Sequence, residues 1–312
     1  MSRRELRLIL NGKSAAEPAI RDAVGLLKRR GYPIDVSVTW ELGDARRHAR
    51  EAAHSGTDVV IAGGGDGTIH EIANGILSAQ EPVRTAVAVL PLGTANDFAR
   101  SCGVPLNDPA AALMLAAEGE VHNIDVGRVN ERVFVNVATG GFGAEVTTST
   151  PAQMKRVLGS AAYSLMGLVT SLKVHAWHTK VRLDDELHEG RVIVLAVGNA
   201  RQAGGGYALT PYAYINDGLL DVMMVHDVEL SRFGSVLAEL GDMRRESNRF
   251  VTYRQVERIH LETEESLQLN LDGEPLRGKR FDFEVVPGRL PFVIPPQAAI
   301  LQEDGPATPQ RT

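Results

Sequence analysis

The sequence predicts an α/β N-terminal domain with a largely parallel sheet, followed by a β-rich antiparallel sandwich domain. Strand and helix patterns alternate up to residue 120, as expected of a sheet covered by crossover helices. From residue 121 to about 300 short β runs dominate instead. Within the first domain, an apolar strand twice runs directly into a turn of small residues followed by polar groups.

The elements follow in order. Residues 6–10 form an apolar strand, and 19–30 form a helix with Ile20, Val24 and Leu27 on one face, stopped at Gly31. Ile34, Val36 and Val38 alternate as a strand, and a helix over 44–53 ends before Gly56. The strand 59–62 leads to a helix from Thr68 that carries Ile69, Ile72, Ala73 and Ile76 on one face. A strand over 87–90 and a helix over 108–117, with Pro109 near its start, complete the domain at 1–120. The second domain, 121–300, holds β runs at 124–129, 133–137, 179–183, 192–197, 219–225, 250–253, 258–261, 267–271 and 281–286. Helices interrupt it at about 151–173 and 230–243. The segment 290–296 is a candidate to return to the first domain, and the polar tail 301–312 reads as disordered.

Composition narrows the function. The 312 residues can bury a core in each of two domains, and the 44% hydrophobic content is ordinary for a globular chain. A formal charge of −6 argues against a nucleic-acid partner. Arg3-Arg4 with Arg7, Lys28-Arg29-Arg30, and Arg277 with Lys279-Arg280 are basic clusters that suit either solvated faces or a membrane surface. Cys102 stands alone, so neither an intramolecular disulfide nor a cysteine metal site is possible. The longest uncharged run, 157–172, is too short and too rich in Gly and Ser for a spanning helix. With no export signal at the N-terminus, the expected location is cytoplasmic.

The most informative stretch is Asp58-Val59-Val60-Ile61-Ala62-Gly63-Gly64-Gly65-Asp66-Gly67-Thr68. A strand, a glycine turn and a helix in succession let backbone N–H groups close on phosphate oxygens at the helix N-terminus. Asp66 is unusual there, because a carboxylate repels a polyphosphate unless a cation or a proton lies between them. Other glycine loops fit poorly. Gly12-Lys13-Ser14 is half a Walker loop with Arg7 where its first glycine should stand, and Thr68 occupies the third-glycine position of a dinucleotide fingerprint. The segment Ala86-Val87-Ala88-Val89-Leu90-Pro91-Leu92-Gly93-Thr94-Ala95-Asn96-Asp97 repeats the strand-to-turn pattern. Open α/β sheets gather ligands beyond the carboxyl ends of their strands, so neighbouring strands would aim Asp66, Thr68, Thr94 and Asp97 at one crevice. The bland alternative is a pair of tight βα turns without a ligand.

With GGGDGT followed by PLGTANDFA, the chain resembles the diacylglycerol kinase catalytic domain family, and within it the YegS-type bacterial lipid kinases. The resemblance runs from Leu6 to about Pro296 and takes in Val38-Thr39-Trp40, Ala138-Thr139-Gly140-Gly141, Gly198-Asn199-Ala200-Arg201-Gln202, Ile215-Asn216-Asp217-Gly218-Leu219 and Asn270-Leu271-Asp272-Gly273-Glu274-Pro275. One departure is His70, where many relatives have Asn before Glu71.

Phosphoryl transfer requires held phosphates, a neutralising metal and a base for the attacking hydroxyl. Gly64, Gly65 and Gly67 give the backbone room to approach phosphate, and Thr68 can cap the helix while donating to it. The resemblance implies Thr39 and Thr94 as further nucleotide contacts beside Asp66 and Asp97, although either threonine could equally cap a turn. Glu71 is a ligand neighbour or simply a first-turn acid. Alone, Asp272-Gly273-Glu274-Pro275 is a hairpin turn. The resemblance makes Glu274 the proton acceptor, with Asp272 a second candidate. It likewise turns Tyr214-Ile215-Asn216-Asp217-Gly218-Leu219 into a Mg²⁺ site formed by the Asp217 carboxylate and the carbonyls of Tyr214 and Leu219, with Ca²⁺ as an alternative occupant.

The resulting expectation is an ATP-dependent lipid kinase. It would pass the γ-phosphate to a hydroxyl of a diacylglycerol, phosphatidylglycerol or sphingoid-base acceptor that is presented at a membrane surface and enters from the cleft between domains. An NAD kinase-like enzyme with a soluble acceptor, or a non-catalytic nucleotide or lipid sensor, are the alternatives.

Overall fold

The computed structural model describes residues 3–79, 81–141 and 176–302. The helix expected at 151–173 and most of the expected tail lie outside these residues. The chain divides into two compact units. One comprises Met1–Val126, Tyr214–Gly218 and Val286–Thr312, and the other Gly127–Ala213 and Leu219–Val285. The strand and helix pattern places a boundary near residue 120, with 290–296 as a candidate return. The structure assigns the C-terminal segment to the first unit and adds Tyr214–Gly218 to it, and the buried Asp125 ties both segments by hydrogen bonds to Gly218 and Gly288.

The first unit contains β1 (Leu6–Asn11), α1 (Gly12–Ala15), α2 (Pro18–Arg29), β2 (Ile34–Thr39), α3 (Asp44–His54) and β3 (Val59–Gly64). It continues through α4 (Asp66–Leu77), β4 (Ala86–Pro91), α5 (Asp97–Ser101) and α6 (Pro109–Glu118) to the start of β5 (Val121–Val129). β3 and β4 are buried along their whole lengths, as continuous apolar runs covered on both faces must be. α2 starts at a proline and turns Ile20, Ala23 and Leu27 inward. Each of its larger apolar side chains contributes about 1.5–3 kcal/mol on burial. α6 starts at Asp108, whose side chain accepts from the Ala111 N–H at 2.9 Å.

β1 pairs in parallel with β2, from Leu6↔Ile34 to Asn11↔Thr39, and in parallel with β3 on its other side. β3 pairs in parallel with β4 from Val59↔Ala86 to Gly64↔Pro91. The strand order β2–β1–β3–β4 therefore changes direction at β1 and β3. A doubly wound sheet opens its ligand crevice at such a reversal. The returning C-terminal strand adds Phe292 beside Val87, and its ring packs edge-to-face on Phe98 with centroids 5.2 Å apart.

The second unit is built from antiparallel strands: β6 (Arg132–Phe134), β7 (Val137–Gly140), β8 (Trp177–Leu183), β9 (Glu186–Gly198), β10 (Gln202–Ala203), β11 (Tyr207–Ala208) and β12 (Leu220–His226). They are followed by α7 (Phe233–Gly241), β13 (Val251–Val256), β14 (Arg258–Leu271) and β15 (Glu274–Val293), which passes into the first unit at Val286. β12 lies between β9 and β13, and β14 pairs with β7, β8 and β15. The two runs expected at 258–261 and 267–271 are one strand. Its polar middle is absorbed by a register shift between Glu262 and Leu267, so the apolar alternation resumes on the same face. Phe134, Phe281, Phe283, Leu261 and Leu271 lie in the core beneath it.

Candidate active site

The carboxyl ends of the four parallel strands put Asn11, Thr39, Gly64 and Pro91 at one edge of the first unit. The glycines there serve different ends. A Cβ on Gly64 would lie 2.2 Å from Thr68 Oγ1, so that glycine makes way for the threonine side chain folded over it. A Cβ on Gly65 would stand 3.2 Å from the Gly93 Cα, and one on Gly93 2.5 Å from the Gly65 Cα, so these two let the turns after β3 and β4 touch backbone to backbone. Gly67 is exposed, and a Cβ there meets nothing within 4 Å. Of the three turn glycines singled out from the sequence, this is the one facing open space. α4 runs for 12 residues from Asp66, and Gly65 at its N-cap offers no side chain to close that end.

Asp66 joins the two turns. Its Oδ2 accepts from the Asp97 N–H at 3.1 Å and its Oδ1 from the Phe98 N–H at 2.9 Å, so the carboxylate caps α5. Asn96 adopts the left-handed conformation at φ 51°. Its Oδ1 accepts from the Gly93 N–H at 2.9 Å while its Nδ2 donates to the Gly93 carbonyl at 2.8 Å. The carboxylate that looks misplaced beside a phosphate thus holds backbone amides together. Asp97 is buried, Thr68 and Glu71 are half-buried, and Glu71 Oε2 is a buried atom without a hydrogen-bond partner among the described residues. Thr39 is half-buried at the end of β2, and Thr94 is exposed in the turn after β4.

Tyr214 and Asp217 belong to the first unit, while Leu219 begins the next segment of the second. Asp125, 1% exposed, holds this loop: Oδ2 accepts from the Gly218 N–H and Oδ1 from the Gly288 N–H, both at 2.7 Å. Desolvation pushes the Asp125 carboxyl above its ordinary range, and the two amides pull the other way. Asn216 exchanges hydrogen bonds with the backbone of Gln302 at 3.1 and 2.8 Å. No group of three or more His, Cys, Asp or Glu side chains is placed to hold a metal ion among the described residues.

The second unit carries Asp272 and Glu274. Asp272 and Gly273 have φ of 52° and 108°, the positive values that a two-residue hairpin loop requires. Asp272 points inward: Oδ2 accepts from the Val135 N–H at 2.6 Å, and Oδ1 from the N–H groups of Asn136 and Val137, both at 3.0 Å. Glu274 is half-buried, and its side chain has no hydrogen bond or ion pair among the described residues. The hairpin thus separates two carboxylates of similar sequence appearance, one spent on backbone amides and one uncommitted. Asn136 extends the first arrangement by accepting on its carbonyl from Asn199 and Ala200 and donating from Nδ2 to the Gln202 carbonyl at 2.9 Å.

Sequence reasoning overlooks Asp125, Asn96 and Asn136 as organisers of these turns. A signal for Asp125 does exist, since Ile124-Asp125-Val126 sets a lone carboxylate inside an apolar strand, where burial without a partner would be costly.

A sheet with a reversal at β1 and β3, and two glycine turns in backbone contact at its carboxyl edge, form a ligand crevice of the doubly wound type. Residues 5–129 match the diacylglycerol kinase catalytic domain, and residues 136–294 match the YegS C-terminal NAD kinase beta sandwich-like domain. The chain is 44% identical over 295 residues to a "Probable lipid kinase YegS-like" of Chromohalobacter salexigens, covering 94% of each chain. It is 43% identical over 303 residues to the protein of that name in Pseudomonas aeruginosa, covering 97% of this chain and 98% of the relative. A solved structure from Bacillus anthracis str. Sterne aligns at 27% identity with a TM-score of 0.79, covering 96% of this chain and 98% of that one. A diacylglycerol kinase structure from the same organism, at 23% identity and a TM-score of 0.72, shares the fold. The chain belongs to the YegS-like family and is a kinase.

Proposed function

We propose that the protein is an ATP-dependent lipid kinase. The acceptor's hydroxyl oxygen attacks the γ-phosphorus, ADP leaves, and the hydroxyl proton passes to Glu274. The observation that carries this reading is the division of labour in the hairpin. Asp272 gives both oxygens to the amides of Val135, Asn136 and Val137, while Glu274 has no such commitment among the described residues. Asp272 is therefore a positioning residue, and Glu274 is the general base.

The nucleotide's phosphates take the open space at Gly67 and the positive end of the α4 dipole, with Thr68 donating from its hydroxyl and Thr39, Thr94 and Asp97 lining the same strand edge. Mg²⁺ carried with the nucleotide would neutralise charge on the transferred group. Glu71, with its unpartnered buried oxygen, is the residue of this turn that would hold it. A second cation suits the loop at Asp217, drawing on one carboxylate and the carbonyls of Tyr214 and Leu219. That hard-oxygen set fits Mg²⁺, with Ca²⁺ as the alternative, and the absence of a carboxylate cluster among the described residues leaves backbone carbonyls as the other donors.

The acceptor is a lipid hydroxyl of the diacylglycerol, phosphatidylglycerol or sphingoid-base class. No helix of the described residues is long and apolar enough to cross a membrane. Incubation with γ-labelled ATP and a total lipid extract should label a lipid. Label in NAD and in no lipid would establish the NAD kinase-like alternative.

A further inference from the structure

Two large apolar side chains stand almost wholly in solvent: Trp40 is 90% exposed and Leu42 85%, whereas no other large apolar residue described exceeds 53%. They occupy the loop that leaves β2 one residue beyond Thr39, at the same strand edge as the glycine turn. The display is built in. Asp44 Oδ2 accepts from the Trp40 N–H at 2.9 Å and from the Glu41 N–H at 3.2 Å, while its Oδ1 pairs with Arg47 at 2.7 Å. These three hydrogen bonds hold the Asp44 carboxyl well down, at about 2, so the brace persists across the physiological range. A braced loop that turns a tryptophan and a leucine outward sacrifices apolar burial, which calls for a partner.

The charges around the loop indicate which one. Arg46 and Arg50, one helical turn apart on α3, are exposed and have no carboxylate partner among the described residues. Lys13, also exposed and without an ion pair there, follows Gly12, where an added Cβ would lie 3.6 Å from Val38 Cγ1 near the end of β2. Against these three cations the loop adds one uncommitted acid, Glu41. Tryptophan with leucine, flanked by Arg and Lys, matches the layering of a bilayer surface. The indole sits at the headgroup level, aliphatic groups lie just below, and cations meet anionic phosphates.

We propose that the Trp40-Glu41-Leu42 loop is a membrane-docking element that inserts into the interface of an anionic bilayer, with Lys13, Arg46 and Arg50 on its headgroups. The inference rests on the lipid-kinase reading and adds where the enzyme grips the surface. It places the gripping loop beside the phosphate-binding edge, which suits an enzyme that must work on hydroxyls at headgroup depth.

The chain has two tryptophans, so Trp177→Phe leaves Trp40 as the only indole reporter. Its emission should shift to the blue on mixing with phosphatidylglycerol-containing vesicles, without ATP, and much less with pure phosphatidylcholine vesicles. Burying each side chain at the interface is worth about tenfold in partitioning. Trp40→Ala with Leu42→Ala should therefore lower vesicle affinity by about a hundredfold, while the KM for ATP and turnover on a short-chain, monomeric acceptor stay at wild-type values. Both side chains are exposed and the Asp44 brace uses backbone groups, so the variant keeps its fold, checked by an unchanged Tm. Unchanged vesicle binding would overturn the proposal. Quenching of Trp40 by ATP alone, with a raised KM for ATP in Trp40→Ala, would also overturn it and assign the indole to the nucleotide. Vesicle binding is read without turnover, so a failure of docking remains distinct from failure of the wild-type enzyme to phosphorylate any lipid.

Discussion

Substituting Asp272 by Asn separates the two carboxylates of the hairpin most cleanly. The wild-type carboxylate, 8% exposed, accepts three backbone N–H groups between 2.6 and 3.0 Å. An amide can present only one oxygen, so the NH2 group confronts either Val135 or the Asn136–Val137 pair and leaves at least one buried donor unmatched. A hydrogen bond to a charged acceptor plus an unsatisfied buried donor is worth about 2–4 kcal/mol, or a fall in Tm of roughly 3–6 °C for a chain of this size. Glu274→Gln changes a half-buried side chain without described partners, so its stability should move by less than about 0.5 kcal/mol. Its turnover should fall by about two to four orders of magnitude with ATP affinity unchanged. Denaturation curves and steady-state kinetics on both variants test the pair. An Asp272→Asn protein that melts like wild type yet turns over far more slowly than Glu274→Gln would refute the reasoning and move the base to Asp272.

Further outcomes follow from the same contacts. Gly67→Val should leave the Tm of the nucleotide-free protein nearly unchanged while weakening ATP binding at least tenfold by calorimetry, whereas Gly93→Ala should lower the Tm because its Cβ would lie 2.5 Å from the Gly65 Cα. Asp66→Ala removes the cap on α5 and should cost about 1–2 kcal/mol in chemical denaturation, whatever its effect on activity. Asp221 is fully buried against Tyr253, whose hydroxyl donates to it at 2.5 Å, and desolvation pushes its carboxyl up to about 6. A raised carboxyl makes the native state bind the extra proton, so this group's stabilisation is present below about pH 4 and is lost as pH rises through 6. Asp221→Asn should flatten that part of the stability–pH curve, and an unchanged curve would contradict the assignment. In thermal melts Mg²⁺ or Ca²⁺ should raise the Tm of the wild-type protein, and Asp217→Ala should abolish that rise.

The sequence made the strand-to-turn-to-helix units of the first unit legible because their apolar runs and glycines are contiguous. The turn chemistry was less legible. GGGDGT reads as three equivalent openings for phosphate, yet Gly64 yields to Thr68, Gly65 to Gly93, and Gly67 alone opens outward. Nothing local reveals that Asp66 caps a helix 31 residues later, because the partner amides come from the next βα turn. Asp272 and Glu274 look interchangeable in a DGEP tetrapeptide. Their roles separate only when the chain at Val135–Val137 arrives to claim one of them. The boundary near residue 120 comes from a change in strand and helix pattern, and that pattern carries no trace of the hydrogen bonds by which Asp125 recruits Gly218 and Gly288.

The claim that the protein phosphorylates a lipid is tested most directly by product stoichiometry on defined acceptors. The purified kinase would receive ATP and Mg²⁺ with diacylglycerol, phosphatidylglycerol or a sphingoid base in mixed vesicles, and ADP and lipid phosphomonoester would be quantified by mass spectrometry. The account predicts one lipid phosphomonoester per ADP for at least one acceptor, with the rate lost in Glu274→Gln. ADP formed without any phosphorylated lipid, or at the same rate when no lipid is present, would contradict it.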